Sequence, residues 1–453
     1  MIKCPSCGAN LKWNPSLQKL KCDFCRTEYD AENLQREAKK AKEDTNYITE
    51  AKCFKCTSCG AELLSYDETA VTFCSYCGNQ SMIESKLIEK NNPEYIIPFK
   101  KSKEECIKEY KKTISKSLFV PNYMKDDLVI QKFRGIYMPY AIYHFTHDGN
   151  CDNKGKKYNH RSGDYVYYDI YSIKSDISAD YNGISYDLLS IYDDRFSQSI
   201  PFDFNEALPY NTNYIAGFYA DTLDVDADTY TSEANKTINE AAKKELKKEK
   251  AFLKYGCSNP EINLSLKEKK IGMFPVYFLG VQDKSSKYIS YAVINGETGK
   301  VAMDLPIDFK KYLLGCLILT IPIFLLINSF LVLTPTTVLI IGIVISVISM
   351  IISNSQLNEL YERKIITSNE KKSKNKMPLS KKIFKYLYKQ ILSIILGMAI
   401  IGINFVDDLY YYGGAVIVFL FIIWSFYDLV KEHNQLSKNK LPQLEKRGGD
   451  EIE

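Results

Sequence analysis

Histidine and tryptophan are scarce in this chain, with four and two residues respectively among 453. The sequence also lacks a Gly-x4-Gly-Lys-Ser/Thr phosphate loop, which argues against a nucleotide-driven enzyme such as a helicase. The formal net charge is only +4, too small by itself to indicate a nucleic-acid partner. An apolar leader is missing as well, because Met1-Ile2-Lys3 leaves no room for one ahead of Cys4. We therefore expect the amino-terminal part in a reducing compartment.

A catalytic constellation is lacking too. His144 and His147 lie in a strand-like run without a carboxylate at helical spacing, and isolated histidines are usually structural or exposed. Four aspartates between positions 221 and 228 resemble a calcium loop, but no glycine turn or bidentate glutamate follows in register. We therefore expect no enzymatic activity and no small-molecule substrate.

Cysteine, by contrast, is plentiful, and eight of the thirteen cysteines form two copies of one pattern. Each copy has two Cys-x2-Cys pairs with 14 residues between the inner cysteines, and the copies repeat with a period of 52. Four thiolates at this spacing can surround one Zn²⁺ tetrahedrally and leave no open position for water. We predict two structural zinc ions, which fold small segments that cannot bury a sufficient core. The predicted ligands are Cys4, Cys7, Cys22 and Cys25 for one ion and Cys56, Cys59, Cys74 and Cys77 for the other.

The remaining five cysteines have no such arrangement. Aligning residues 3–9 with residues 55–61 fixes the register of the repeat and leaves Cys53 as a spare. The other four lack a partner at ligand spacing, and we expect them to be small buried hydrophobic residues: Cys106, Cys151, Cys257 and Cys316.

Four long apolar stretches occupy the carboxyl-terminal part. Each is close to the roughly 20 residues that a helix needs to cross a bilayer, and four in succession with little internal charge favour membrane insertion. The polar groups in them suggest no intramembrane ionisable pair, so we expect an anchor and not a transporter. The stretches are 312–333, 335–353, 384–406 and 409–430.

Basic residues predict how these helices are oriented. Lys310 and Lys311 precede the first stretch, and a lysine-rich connection at 363–382 separates the second from the third. By the positive-inside rule these segments face the cytoplasm, as does the tail at 431–453. We expect a multi-pass plasma-membrane protein with both termini in the cytoplasm.

The middle region reads as one α+β domain with a mostly antiparallel sheet. A short strand at 96–99 precedes a helix with a capping box formed by Ser102 and Glu105. A tyrosine-rich stretch to about residue 228 predicts short strands between turns, and 232–255 predicts a solvated helix that stops at Gly256. Strands follow from Ile271, with a hairpin turn at 295–300.

The sequence therefore predicts a multidomain chain with two small zinc ribbons, an α+β domain and an all-α domain of four transmembrane helices. The expected segments are ribbon 1 at 1–30, a helical linker at 31–52, ribbon 2 at 53–90, the α+β cytoplasmic domain at 93–306, the four helices at 312–430 and the tail at 431–453.

An ordered set of motifs resembles the TFIIB-type zinc-ribbon membrane proteins of Gram-positive bacteria, the YdjG-like group. Besides the two ribbons, the motifs lie at 95–100, 135–140, 209–218, 274–277 and 294–300. The resemblance implies a cytoplasmic head that recruits cytosolic proteins to the envelope in a stress response, such as phage-shock-type coat proteins or proteins with membrane-scaffold domains. Arg26 departs from the pattern because it replaces a knuckle glycine, which puts the geometry at Cys25 in question.

Two functions from different classes remain open at this point. The first is the membrane-anchored adaptor for cytosolic proteins. The second is a membrane-tethered nucleic-acid-binding protein, because ribbons can contact DNA or RNA and several lysines surround the first copy. Acidic residues such as Asp23, Glu28 and Asp30 are interspersed with them, so no stripe of a single sign is evident.

Overall fold

The first cysteine-rich segment folds as a small three-stranded antiparallel sheet. It consists of β1 (Leu11–Asn14), β2 (Lys19–Cys22) and β3 (Glu28–Tyr29), followed by helix α1 (Ala31–Ala41). The carboxylate of Asp30 accepts hydrogen bonds from the N–H groups of Glu32 and Asn33, both at 3.0 Å, and so caps α1. The computed structural model describes residues 3–41, 52–57, 62–65, 74, 82–85, 93–189, 194–221, 223, 225–282, 288–330, 334–367, 379–403, 407–437 and 439–440.

A second, twelve-stranded sheet forms the centre of the protein. Eight of its strands lie side by side in the order β10-β7-β12-β8-β11-β5-β4-β6. In addition, β9 pairs with β8, β13 pairs with β12, and both β14 and β15 pair with β13. The sheet is mixed, because β7 pairs with β12 and β11 pairs with β8 in parallel while the other pairings are antiparallel. The strands are β4 (Lys52–Cys56), β5 (Glu62–Ser65), β6 (Met82–Ser85), β7 (Tyr95–Ile96), β8 (Arg134–Ser162), β9 (Tyr165–Asp187), β10 (Leu208–Pro209), β11 (Tyr219–Asp221), β12 (Ser265–Gln282), β13 (Tyr288–Asn295), β14 (Val301–Met303) and β15 (Asn439–Lys440).

The second cysteine-rich segment belongs to this large sheet. Strand β5 pairs with both β4 and β11, so the chain of hydrogen bonds runs from the segment at 52–85 directly into the α+β region. The described strands of this segment are held in one position by these backbone hydrogen bonds. They therefore cannot swing independently of the α+β region.

The tyrosine-rich stretch differs from the sequence prediction. Up to Asp187 it forms one long hairpin of β8 and β9, so the expected series of short strands is wrong there, whereas the remainder to residue 228 does contain the short strands β10 and β11. Gly149, Asn150 and Asp152 have low strand propensity and read as turns, but each has a cross-strand partner on β9 that keeps it extended. The sequence shows local propensity only, whereas the pairing that overrides it joins residues far apart in the chain.

The helices of the α+β region cover the sheet. They are α2 (Lys103–Ser115), α3 (Asp127–Ile130), α4 (Asp194–Ser199), α5 (Thr231–Leu246) and α6 (Lys250–Lys254). The predicted capping box on α2 is confirmed. The single helix predicted at 232–255 is divided in two, and α5 buries Ala234, Ile238 and Ala242 against the hairpin, so it is amphipathic and not solvated all round. The turn predicted at 295–300 does connect β13 to β14.

Four long helices follow in the regions that the apolar stretches predict. They are α7 (Phe309–Phe330), α8 (Pro335–Thr367), α9 (Leu379–Ile403) and α10 (Asp408–Ser437). Helices α8, α9 and α10 pack together around Leu339 and Val418, whose side chains are fully buried. Within the described part of the chain, two segments are long and apolar enough to cross a membrane: Pro335–Ser355 and Asp408–Asn434.

An ionic contact joins two of these helices. Lys389 on α9 pairs with Asp428 on α10, and its ammonium lies 3.6 Å from the ring centroid of Trp424. The expectation that these helices contain no ionisable pair is therefore wrong. A lone lysine and a lone aspartate 39 residues apart give no signal until the packing shows which helix faces meet. Because each charge is compensated, the contact stabilises helix packing.

Polar side chains also meet between α8 and α9. The hydroxyls of Ser346 and Ser393 lie 2.6 Å apart, and the amide of Gln390 donates to Ser349 Oγ at 2.9 Å. All four residues are buried. Such interhelical hydrogen bonds contribute about 1 kcal/mol each when helices pack in a membrane.

The sheet and the helices are joined at one end. The Asn434 side chain, near the end of α10, accepts from the N–H of Ile307 at 2.7 Å and donates to its carbonyl at 2.8 Å. Strand β15, which follows α10, pairs with the start of β13. The chain that enters α7 and the chain that leaves α10 therefore lie on the same side of the helices, next to the sheet.

Candidate metal centre

The four sulfurs of the first cysteine set converge. They belong to Cys4, Cys7, Cys22 and Cys25, and all lie within 4.8 Å of one another. The Cys4–Cys25 and Cys7–Cys22 sulfur distances are both 3.5 Å. A tetrahedral site with Zn–S bonds of about 2.3 Å places its sulfurs about 3.8 Å apart. The set therefore fits a single tetrahedral metal ion, and no fifth position is left for a substrate.

Two matching turns build this cage. The N–H of Gly8 donates to the Cys4 carbonyl at 2.8 Å, and the N–H of Arg26 donates to the Cys22 carbonyl at 3.0 Å. Gly8 has φ +75° and Arg26 has φ +63°, so both occupy the left-handed region. Arg26 therefore adopts the conformation of the glycine it replaces, and the second turn keeps its geometry at Cys25.

Replacing Arg26 should increase stability. A residue with a Cβ loses roughly 1–2 kcal/mol in the left-handed conformation, part of which glycine gives back through its freer unfolded chain. We expect Arg26→Gly to raise the free energy of unfolding of the ribbon by about 1 kcal/mol. Gly8→Ala is the matched control, because its Cβ would meet no atom within 4 Å and only the backbone conformation is penalised. In denaturant titrations the free energy of unfolding should rise in Arg26→Gly and fall in Gly8→Ala. A change of the same sign in both variants would contradict this account.

The four ligands of the cage differ in how readily they deprotonate. The Ala9 backbone lowers the pKa of Cys7, but burial and the neighbouring cysteine side chains outweigh it and raise the pKa to about 12. Burial raises the pKa of Cys4, but hydrogen bonds from the Tyr29 hydroxyl and the Ser6 backbone outweigh it and lower the pKa to about 6. The side chain and backbone of Thr27 also lower the pKa of Cys25. Metal binding requires deprotonated sulfur, so two of the ligands are prepared for a metal ion at neutral pH.

Trp13 fixes ribbon 1 (residues 3–30 in the structure) to the large sheet. Its indole N–H donates to the Phe99 carbonyl at 3.0 Å, and its ring meets Tyr214 edge-on with centroids 4.9 Å apart. Its backbone N–H donates to the Ala216 carbonyl at 2.9 Å. Only 6% of Trp13 is exposed. Sequence reasoning missed this residue, although a tryptophan in a segment this small was a signal, because so large a side chain must be buried against something else.

One segment, 211–221, contacts both cysteine-rich segments. The side-chain amides of Asn211 and Asn213 donate to the carbonyl of Ala31, at the end of ribbon 1, at 3.3 and 2.8 Å. Strand β11 begins six residues after Asn213 and pairs with β5 of the second segment. The motif at 209–218 thus acquires a physical role, because it sets the position of one ribbon relative to the other.

The backbone pairing of the repeat recurs in the fold. Lys3 pairs with Asn10 across an isolated bridge, and 52 residues later Lys55 pairs with Glu62 between β4 and β5. Each lysine contacts the side chain opposite, at 3.0 Å in the first copy and 3.2 Å in the second. The two copies therefore begin with the same strand pairing.

The cysteines of the second copy are described in part. Cys56 and Cys74 are fully buried, as are their equivalents 52 positions earlier, Cys4 and Cys22, at 2% exposure or less. The remaining two ligands of the predicted second site lie outside the described residues, namely Cys59 and Cys77. The described half of the second set thus has the burial expected of metal ligands.

The other singled-out residues have structural surroundings. Three of the four isolated cysteines are buried as expected, whereas Cys316 is exposed on α7. His144 Nε2 lies 2.8 Å from Asp180 Oδ1, and His147 Nδ1 lies 2.8 Å from the Asn263 carbonyl. His144 therefore joins β8 to β9, and His147 joins β8 to the chain just before β12. The buried cysteines are Cys106, Cys151 and Cys257, and the spare Cys53 is buried in β4.

A cleft of about 720 Å³ lies between ribbon 1 and the large sheet. Its lining includes an aromatic set and a predominantly basic charged set. Phe24, between the last two ligands of ribbon 1, is 81% exposed at this cleft. The charged lining residues are Lys12, Lys21, Lys103 and Arg134 together with Asp23 and Glu104. The aromatic lining residues are Trp13, Phe24, Phe133, Phe218, Tyr219 and Tyr277.

Charged groups of this cleft interact with one another and with the backbone. Lys12 pairs with Asp23 at 2.8 Å. Burial together with the nearby Arg134 charge lowers the pKa of Lys103, whose ammonium donates to the Gln131 carbonyl at 2.7 Å. An anionic group entering the cleft would favour the charged form of Lys103.

The chain is similar to a protein of Bacillus subtilis (strain 168). That protein is described as "Uncharacterized protein YdjG", and the two are 25% identical over 320 residues, which cover 68% of this chain and 91% of the relative. No family model and no solved structure matches the chain. The similarity supports the resemblance to the YdjG-like group that the ordered motifs indicate.

Proposed function

We propose that this chain is a membrane-anchored zinc-ribbon adaptor that recruits a cytosolic protein to the inner face of the plasma membrane. The observation that carries the proposal is the cleft between ribbon 1 and the sheet. A rigidly held ribbon places an exposed phenylalanine beside a basic, aromatic-lined opening. Aromatic anchors surrounded by charge are typical of protein-binding sites.

Helices α7 to α10 are proposed to be the anchor. Two segments have the length and hydropathy of a membrane span, and α7 and α9 contribute the other two apolar stretches. An even number of crossings agrees with the position of β15, which returns to the sheet after α10. Lys310 and Lys311 lie in the first turn of α7 on this side, so by the positive-inside rule the sheet and both ribbons are expected in the cytoplasm.

The metal of both ribbons is proposed to be Zn²⁺. A set of four thiolates in a tetrahedral arrangement favours Zn²⁺ or an iron–sulfur cluster over hard cations. The closed first cage and the buried half of the second set suit a structural ion. The ions would hold the two ribbons in shape on either side of segment 211–221.

A protein partner fits the cleft better than a nucleic acid. Asp23 and Glu104 lie among the basic residues of the cleft. Their carboxylates would repel a continuous phosphate backbone. Phe24 offers an apolar contact that a peptide side chain can meet. The expected ligand is therefore an acidic protein segment that carries a large apolar side chain.

A pull-down from solubilised membranes tests this function. The full chain and its Phe24→Ser variant would each be captured after nuclease treatment, with Leu128→Ser as the control because Leu128 is similarly exposed, at 78%, outside the cleft lining. We expect Phe24→Ser to reduce the recovered partner at least tenfold, which corresponds to about 1.4 kcal/mol.

The control should recover as much partner as the unchanged chain. Loss of the bound material on nuclease treatment would favour the membrane-tethered nucleic-acid-binding alternative instead. Equal recovery with Phe24→Ser and with the unchanged chain would exclude the cleft as the recruiting site.

A further inference from the structure

The hairpin of β8 and β9 extends well beyond the rest of the large sheet. Strand β12 supports β8 only as far as Thr146. The chain at Tyr255 and Gly256 supports it as far as the backbone of Lys156, whose N–H donates to the Gly256 carbonyl at 3.2 Å, and an added Cβ on Gly155 would lie 2.1 Å from the Tyr255 carbonyl oxygen. Every residue from 156 to 170, which we name the arm tip, is exposed. A two-stranded ribbon without a core is marginally stable on its own.

The arm tip points away from the helices. The end of the sheet next to the helices holds the start of β13, which pairs with β15, and the end of β12. Strand β8 begins at that end, where Arg134 pairs with Phe278. It then runs toward the opposite end, and the 16 residues from Thr146 to Ser162 add about 50 Å. The arm tip therefore lies far from the membrane that the helices occupy in the proposed function.

The solvent-facing side of the hairpin changes character at the arm tip. Residues paired across the strands share a face, so Asp152 and Lys174 lie on the outer face below the tip. Within the tip this face instead carries four exposed apolar or aromatic residues. They are Tyr158 and Tyr168, which form one cross-strand pair, Ile170, which pairs with Lys156, and Val166, which pairs with Arg161.

The outer face also divides lengthwise. Its β8 half carries the cations Lys156 and Arg161, and its β9 half carries Val166, Tyr168 and Ile170. A cation–π contact joins the two halves within one hairpin, where Lys156 Nζ lies 4.0 Å from the ring centroid of Tyr168. A partner surface with the same two halves in reversed order would place its apolar and aromatic half over the cations of this one, and its cations over the apolar and aromatic half of this one.

We propose that the outer face of the arm tip is a contact between two copies of this chain in the same membrane. The proposal rests on the proposed membrane attachment, which gives both copies the same orientation, so that a twofold axis must run along the membrane normal. With the arm along that axis, rotation by 180° exchanges the halves and places β8 of one copy over β9 of the other. Confinement to one membrane raises the effective concentration of the arms.

This symmetry also fixes which residues meet. Rotation about an axis parallel to the strands keeps every residue at its own height, so each residue faces the copy of its own cross-strand partner. Tyr158 faces the second Tyr168, and below the tip Asp152 faces the second Lys174. The face is therefore self-complementary in charge at that level. At the tip the two tyrosines supply the aromatic contact, while Lys156 and Arg161 face the second Ile170 and Val166. Two hairpins then become a two-layered, four-stranded structure.

Energy transfer between full-length copies in lipid vesicles tests the proposal. Donor and acceptor fluorescent proteins would be fused to the carboxyl terminus, and the Ile170→Lys variant would be compared with Tyr165→Lys. Both residues are 74% exposed, but Ile170 faces Lys156 of the second copy, whereas Tyr165 pairs with Ser162 on the opposite face of the hairpin. We expect Ile170→Lys to weaken association at least tenfold, because it brings like charges together, and Tyr165→Lys to leave it unchanged.

A charge exchange provides the second measurement. Asp152→Lys and Lys174→Asp copies should each associate weakly alone, whereas a mixture of the two should recover association. Contacts within one hairpin are the same in the mixture, so recovery would report a contact between copies. Absence of transfer above that of randomly placed monomers, equal effects of the two lysine variants at positions 170 and 165, or transfer that nuclease abolishes would overturn the proposal. Vesicle flotation separates this result from failure of the membrane anchor.

Discussion

Chelation of the metal should shift the fluorescence of Trp13 to longer wavelength, because loss of the ion unfolds ribbon 1 and brings the indole into water. A structural zinc site supplies about 10–16 kcal/mol of apparent folding free energy in small domains, more than the short sheet of ribbon 1 can replace. The chain has two tryptophans, so a Trp424→Phe background leaves Trp13 as the single reporter. The emission spectrum of the full chain before and after chelator is the measurement.

Cysteine variants provide the control for this prediction. Cys22→Ser removes a buried ligand and should produce the shifted spectrum without chelator, while Cys106→Ser should keep the native spectrum because Cys106 lies buried on α2 outside the cage. An unchanged spectrum after verified removal of the metal would show that the sheet holds ribbon 1 without it. That result would contradict the structural role of the ion.

Trp13→Ala should detach ribbon 1 from the sheet while leaving its metal in place. The change removes a buried aromatic side chain and the hydrogen bond to the Phe99 carbonyl, and truncations of this kind cost about 3–5 kcal/mol. The cage itself does not include Trp13, so metal content should be unchanged. Hydrogen exchange of residues 11–22 is the measurement, and we expect protection to fall toward that of an isolated ribbon.

Trp13→Phe separates the two contributions. It keeps most of the apolar contact with Tyr214 and removes the indole donor, while Gln18 Nε2 still donates to the Phe99 carbonyl at 2.9 Å. We expect a loss of only about 1 kcal/mol. Equal protection in the alanine variant and the unchanged chain would mean that segment 211–221 alone holds the ribbon.

Short-range patterns predicted the local features of this protein. The ligand spacing placed Cys4, Cys7, Cys22 and Cys25 in one cage, and the side chains of Ser102 and Glu105 form the expected capping box. The long helices also lie where the apolar stretches indicated. In each case the deciding interaction joins residues close in sequence, or follows from composition over about 20 residues.

The features that could not be predicted from the sequence depend on contacts between residues distant in the chain. The extended strands around Gly149, the Lys389–Asp428 contact and the docking of Trp13 all depend on partners that are distant in the chain: Ile177 for Gly149, 39 residues for the ionic contact, and Ala216 for Trp13. Propensity near Gly149 favoured a turn, and pairing with β9 overrode it. Arg26 is the reverse case, since a departure from the glycine pattern leaves the local geometry unchanged.

The metal content of the full chain extracted from membranes tests the central claim most directly. Elemental analysis should find two zinc ions per chain, falling to one in Cys22→Ser and to one in Cys74→Ser. Absence of zinc from freshly extracted protein, or a content that neither substitution changes, would contradict an adaptor built on two metal-held ribbons.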